Sequence, residues 1–92
     1  MIIKIGRKNN KMRLDKFLKV SRLIKRRTVA NEVSEQGRIY VNGNVAKPSK
    51  QLKVGDEIKI AQATKDIIVK IVKIPAGNVS IQEAPTLYEE IL

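Results

Sequence analysis

The sequence predicts an α+β fold in which two short N-terminal helices pack on a small antiparallel sheet. Two observations carry this. Apolar residues recur at helical spacing up to Gly37 and alternate with a period of two after it. Asn42-Gly43 then supplies a strong hairpin signal, because a type I′ turn needs positive φ at both central residues. Helices followed by strands, rather than alternating with them, give an α+β order and not a parallel sheet.

The elements follow in chain order. Residues 1 to 11 open with an apolar, strand-like start at Ile2, Ile3 and Ile5 and continue as the polar run Arg7-Lys8-Asn9-Asn10-Lys11. Residues 13 to 20, RLDKFLKV, place Leu14, Phe17 and Leu18 on one helical face. A second helix is predicted over residues 26 to 36, with Val29, Ala30 and Val33 as its apolar stripe. Gly37 follows as the residue that takes positive φ beyond the helix end. Leu23 and Ile24 lie in the connection and are expected to wedge between the helices. Ile39 and Val41 alternate with Arg38, Tyr40 and Asn42, and Val45 starts the return strand. Pro48 breaks that strand, since it has no N–H to give to a ladder. Val54-Gly55-Asp56 is a second turn, leading into a strand at residues 57 to 60. Residues 67 to 74, IIVKIVKI, read as a further strand, and Thr86 to Leu92 as a short helix.

Composition narrows the function. A chain of 92 residues supports one domain. Neither Cys nor His occurs, which removes disulfides, thiolate metal sites and the usual proton shuttle. There is no GxxxxGK[ST] phosphate loop and no GxGxxG. Glu89 and Glu90 adjoin, but neighbours on a helix do not face each other. Turn chemistry accounts for Asp56. No catalytic residue, metal or cofactor is therefore expected, and the chain reads as a binding module rather than an enzyme. No apolar run approaches the roughly 18 residues of a membrane span. The N-terminus lacks the charge-then-apolar order of a signal peptide. The expected location is the cytoplasm.

The formal net charge is +10, and its distribution matters more than its size. Residues 1 to 28 hold eleven basic side chains against Asp15 alone, whereas residues 29 to 92 hold eight of each sign. Charge that serves solubility is interspersed with acids. A one-sided positive field attracts a polyanion.

The candidate binding residues follow from that asymmetry. Arg13, Lys16 and Lys19 are spaced by three and stay on one side of the first helix, away from Leu14, Phe17 and Leu18. Arg22 follows in the connection. Lys25, Arg26 and Arg27 open the second helix, where free backbone N–H groups favour anions. Three cations there oppose the helix macrodipole, a conflict that a bound polyanion relieves. Guanidinium groups bridge phosphate oxygens and stack on bases. Arg38 and Lys47 complete the set. Asp15 has two readings: it pairs with Arg26 or Arg27 and orients the guanidinium, or it merely acidifies the first helical turn. Gly37, Asn42 and Gly43 are structural turn residues.

RLDKFL, the basic start of the second helix, GRIYVNG at residues 37 to 43 and KVGDEI at residues 53 to 58 together resemble the S-four RNA-binding domain. The resemblance covers about residues 13 to 60, and GRIYVNG followed by VGDEI is its specific part. MRLDKFLKVSRLIKRRT, at residues 12 to 28, is most similar to the stand-alone RqcP-like group of that superfamily, which includes the small heat-shock ribosome-associated protein. Where the wider superfamily has a Ser-Arg pair, this chain has Arg26-Arg27. Residues 1 to 11 precede the family start, and the last third matches only loosely.

The resemblance implies the two-helix αL motif on a small sheet. Its expected organisation is a basic extension at 1–11, an RNA-binding domain at 12–62, and a strand and short tail at 63–92 that complete it. It also implies partners: large-subunit rRNA, tRNA, and the large ribosomal subunit carrying a stalled nascent chain together with its tailing factor. In that setting the protein assists C-terminal tailing of the stuck chain. Neither membrane nor metal is among the expected partners.

Three other readings compete. Another S-four-domain RNA-binding role would share the same residues. A DNA-binding helix-turn-helix protein fits two short helices but not the Asn42-Gly43 hairpin or the Leu23-Ile24 connection. A membrane-surface module needs a longer amphipathic helix than either present here.

Overall fold

The computed structural model describes residues 11–62, 65–75 and 79–91. The strand-like start expected at Ile2, Ile3 and Ile5 lies outside the described residues. Helix α1 spans Leu14–Val20 and α2 spans Arg27–Glu35. Among the described residues seven short strands surround them in sequence: β1 Met12–Arg13, β2 Ile39–Val41, β3 Asn44–Val45, β4 Gln51–Leu52, β5 Glu57–Ile60, β6 Ile67–Ile71 and β7 Tyr88–Glu90. Five form one antiparallel sheet in the order β3-β2-β5-β6-β7, and β1 pairs separately with β4. The α+β class read from the sequence is the class observed.

The helix faces follow the spacing of the apolar residues. Leu14, Phe17 and Leu18 are fully buried. Each such side chain contributes about 1.5–3 kcal/mol relative to exposure. The N-cap residue of α1, Arg13, makes no side-chain cap bond. The helix's first amides are satisfied by the chain after β3: Leu14 N–H donates to the Lys50 carbonyl (2.8 Å) and Asp15 N–H to the Pro48 carbonyl (3.1 Å). The stripe of α2 is corrected by one position. Val29 is exposed, and the inward residues are Ala30, half-buried Val33 and Ser34, whose hydroxyl donates to the Ala30 carbonyl at 2.9 Å. Ala30, Val33 and Ser34 share a face at i, i+3 and i+4, and Val29 falls outside it.

Both helix ends use positive φ. After α2, Gly37 has φ +75°; its N–H donates to the Ser34 carbonyl (2.9 Å) and that of Arg38 to the Val33 carbonyl (3.2 Å), a Schellman motif. After α1 the left-handed residue is Arg22, with φ +63°. Its N–H donates to the Lys19 carbonyl (3.0 Å), and that of Ile24 to the Leu18 carbonyl (3.1 Å). Leu23 and Ile24 then pack, half-buried, against the core.

The sheet buries Ile39, Val41, Ile58, Ile60, Val69 and Ile71 beneath the helices. The hairpin is as expected: Asn42 and Gly43 have φ +53° and +88°. Two expectations fail at the C-terminal end. The strand predicted over 67 to 74 stops at Ile71, because the Val72 and Lys73 amides both turn to the Leu87 carbonyl (2.8 and 3.1 Å). The helix predicted over 86 to 92 is instead a 3-10 helix at Ala84–Leu87 followed by β7. Without a partner β6 would leave a row of unpaired N–H and C=O groups, and an extended segment pairs with them in register where a helix does not. Tyr88 pairs with Ile71, and Ile91 N–H donates to the Ile68 carbonyl (2.8 Å).

Candidate nucleic-acid interface

Asp15 organises the helix pair. It sits in the first turn of α1, only 2% exposed, where its carboxylate meets groups from both helices. Arg13 donates from Nε to Oδ1 (3.2 Å) and from Nη2 to Oδ2 (3.1 Å). Arg27 Nη2, at the start of α2, donates to Oδ1 at 3.5 Å. Asn31 Nδ2 donates to Oδ2 (3.4 Å), and the Lys16 amide to Oδ1 (2.7 Å). Burial alone would push the Asp15 carboxyl up. The Arg13 hydrogen bond, the Arg27 and Arg13 charges and the Lys16 amide outweigh it and hold the group below the usual carboxylate range.

One buried carboxylate thus holds two guanidiniums: Arg27 from the first turn of α2, and Arg13 from β1, at the N-cap position of α1 rather than within the helix as the spacing predicted. Each arginine remains about half exposed. The partner across the helix pair is Arg27, not Arg26. Arg26 is the N-cap residue of α2, exposed, with no side-chain cap bond. Arg13 is a partner that the sequence does not announce. Asn31 is another; its one signal is the i, i+4 spacing from Arg27, which puts the two on one helix face. Asp15, Arg27, Thr28, Asn31 and Glu32 line a groove of about 550 Å³.

The other predicted residues are spread over α1, the helix connection and the sheet. Lys16, Lys19, Arg22 and Lys25 are exposed on α1 and on the connection. Arg38 is exposed but tethered, donating from Nε and Nη2 to the Ala61 carbonyl (3.2 and 3.1 Å), which joins the start of β2 to the end of β5. Lys47 is exposed in the loop between β3 and β4.

A second buried acid holds the turns together. Asp56 accepts from Asn42 Nδ2 (3.1 Å), the Lys53 amide (3.0 Å) and Lys53 Nζ (3.1 Å). Burial raises its carboxyl; the Lys53 amide, the Asn42 side chain and the Lys53 ammonium more than compensate, leaving it below its ordinary value. Asn42 Oδ1 in turn accepts the Glu57 amide (3.0 Å), so the hairpin turn and the Val54-Gly55 turn are one unit. Among the described residues no group of three acidic, Cys or His side chains is placed to hold a metal ion, and no helix is long and apolar enough to cross a membrane.

A basic helix pair tied by one buried carboxylate and carried on a small antiparallel sheet defines a class of compact polyanion-gripping modules. Comparison with known proteins agrees. The family model of the S4 domain matches residues 12–58. The RQC P-site tRNA stabilizing factor of Halalkalibacterium halodurans is 60% identical over 78 residues, which cover 85% of this chain and 88% of that protein. The protein of the same name from Streptococcus pneumoniae is 50% identical over 80 residues, 87% of this chain and 90% of that one. The trimeric structure of Vibrio cholerae Heat Shock Protein 15 superposes with a TM-score of 0.78 at 36% identity, over 87% of this chain and 81% of that chain. The chain belongs to the S4 domain family and, within it, to the group of RQC P-site tRNA stabilizing factors.

Proposed function

We propose that this protein is a ribosome-associated RNA-binding factor of quality control, without catalytic activity of its own. It binds large-subunit rRNA and peptidyl-tRNA on large subunits obstructed by a stalled nascent chain, and assists the tailing factor that extends that chain. It works in the cytoplasm. The observation that carries this reading is the pair of half-exposed guanidiniums, Arg13 just before α1 and Arg27 at the start of α2, both held by buried Asp15. Such a pair is preset to grip phosphate oxygens, and its ordering cost is met on folding rather than on binding. The names of the relatives at 60% and 50% identity add tRNA and the P site to that chemistry. The absence of His and Cys from the sequence supports a binding role over a catalytic one.

The test is sucrose-gradient fractionation of cell extract. The wild-type protein is expected to co-migrate with free large subunits. Arg13→Ala and Arg27→Ala should each lower RNA affinity by about 10- to 100-fold, the loss of one charge-assisted contact, while circular dichroism stays native. Folded variants that still sediment with the large subunit would remove both residues from the site. A wild-type protein found only at the top of the gradient would remove the function.

A further inference from the structure

The sequence places all excess positive charge in residues 1 to 28 and none after them. The fold redraws that boundary. β1 and β4 pair with Met12 opposite Leu52 and Arg13 opposite Gln51. Leu14 and Asp15 donate their amides to the Lys50 and Pro48 carbonyls at 2.8 and 3.1 Å. The loop from Lys47 to Lys50 is therefore bonded to the N-terminal end of α1, where Arg13 and Lys16 stand.

In the Arg13–Gln51 pair both side chains are exposed, while the adjoining Met12–Leu52 pair is buried. Lys47 and Lys50 are exposed, and among the described residues neither has an acidic partner within 4 Å. Lys53 differs, since its ammonium lies 3.1 Å from Asp56. Asp15, whose amide is bonded to this loop at the Pro48 carbonyl, is buried and already holds Arg13 and Arg27. Arg13 is thus a junction. Its guanidinium reaches toward α2 through Asp15, and its backbone is paired with the strand that follows the lysine loop.

We propose that Lys47 and Lys50 form a second phosphate-binding arm. Through Arg13 it is continuous with the helix pair, and it takes a further stretch of the same RNA backbone. This rests on the RNA-binding reading above; it adds Lys50 to Lys47 of the candidate set and makes the two one surface with the helix pair. Lysine suits the role: its ammonium is a point charge on a flexible stem that follows a backbone without demanding bidentate geometry. The arm adds affinity and salt sensitivity but reads no base.

The experiment measures binding of the full chain to a tRNA transcript over a range of KCl concentrations. For about five neutralised phosphates, the wild-type slope of log K against log salt is expected near −3.5 to −4.5. Lys47→Gln/Lys50→Gln should bind about tenfold more weakly at physiological salt, with a slope shallower by about 1.5. Lys65→Gln/Lys70→Gln removes the same charge from β6 and its approach, and should stay within about twofold of wild type. Both variants should melt within a few degrees of wild type. Equal losses in the two double variants would reduce the effect to net charge and overturn the arm. So would a loop variant that binds like wild type while Arg13→Ala still fails, in which case the helix-pair reading survives. If the wild-type chain does not bind the transcript, the arm falls together with that reading.

Discussion

Asp15 is the sole acid among the first 28 residues, and it is buried between two arginines. Asp15→Asn keeps the shape and raises the net charge by one. If the carboxylate served only the helix dipole, the extra positive charge would tighten RNA binding. Because it positions Arg13 and Arg27, binding is expected to weaken severalfold despite the gain in charge. Stability should fall by about 1–2 kcal/mol, a modest figure because both guanidiniums are half solvated. Filter binding and thermal melts read the two effects separately. Arg22 makes a related point. A non-glycine residue at φ +63° is strained, since its Cβ crowds the following carbonyl. Arg22→Gly should raise the melting temperature by about 2–5 °C and yet weaken RNA binding. A variant that is both more stable and equally tight would leave Arg22 without a binding role.

At the scale of elements, the Asn42-Gly43 turn joins the sheet to the rest of the fold. Gly43 has φ +88°, and a Cβ added to it would meet nothing within 4 Å, so the demand for glycine is conformational and not steric. Gly43→Val is expected to cost about 1–2 kcal/mol. Through Asn42 the damage should spread to Asp56 and Glu57, and RNA binding should fall with the melting temperature. Normal melting with normal binding would show that the turn does not govern the helix pair. The Asn-Gly pair, Gly37 and the α1 face are all legible in the sequence, because backbone conformation and helical period are local properties. The α2 stripe is not, and Val29 misleads there: a serine that bonds its own helix backbone can be buried, and hydrophobicity does not mark it.

For the whole molecule, Asp15 ties the helices and Asp56 ties the turns, and both carboxyls lie below their ordinary value in the folded state. An unfolded Asp titrates near 3.9. Their stabilisation is therefore fully present above about pH 4 and is lost as pH falls through the folded values. Melting temperature should drop on acidification below pH 4, with a shallower acid limb in Asp15→Asn/Asp56→Asn; identical limbs would assign acid sensitivity to other groups.

By itself the sequence determined the α+β order, the hairpin, the apolar face of α1 and the basic character of the first 28 residues, since each depends on neighbours within one or two turns of chain. It also carried the family resemblance, through motifs contiguous in residues 12 to 58. Tertiary structure alone decided which guanidinium Asp15 holds, that the C-terminal tail becomes an edge strand rather than a helix, and that the loop carrying Lys47 and Lys50 is bonded to the start of α1. Each of these depends on a contact between segments distant in the chain: Asp15 with Arg27, Ile71 with Tyr88, Leu14 with Lys50. A one-dimensional pattern records what a residue prefers, and packing decides which hydrogen-bonding group or charge stands opposite it.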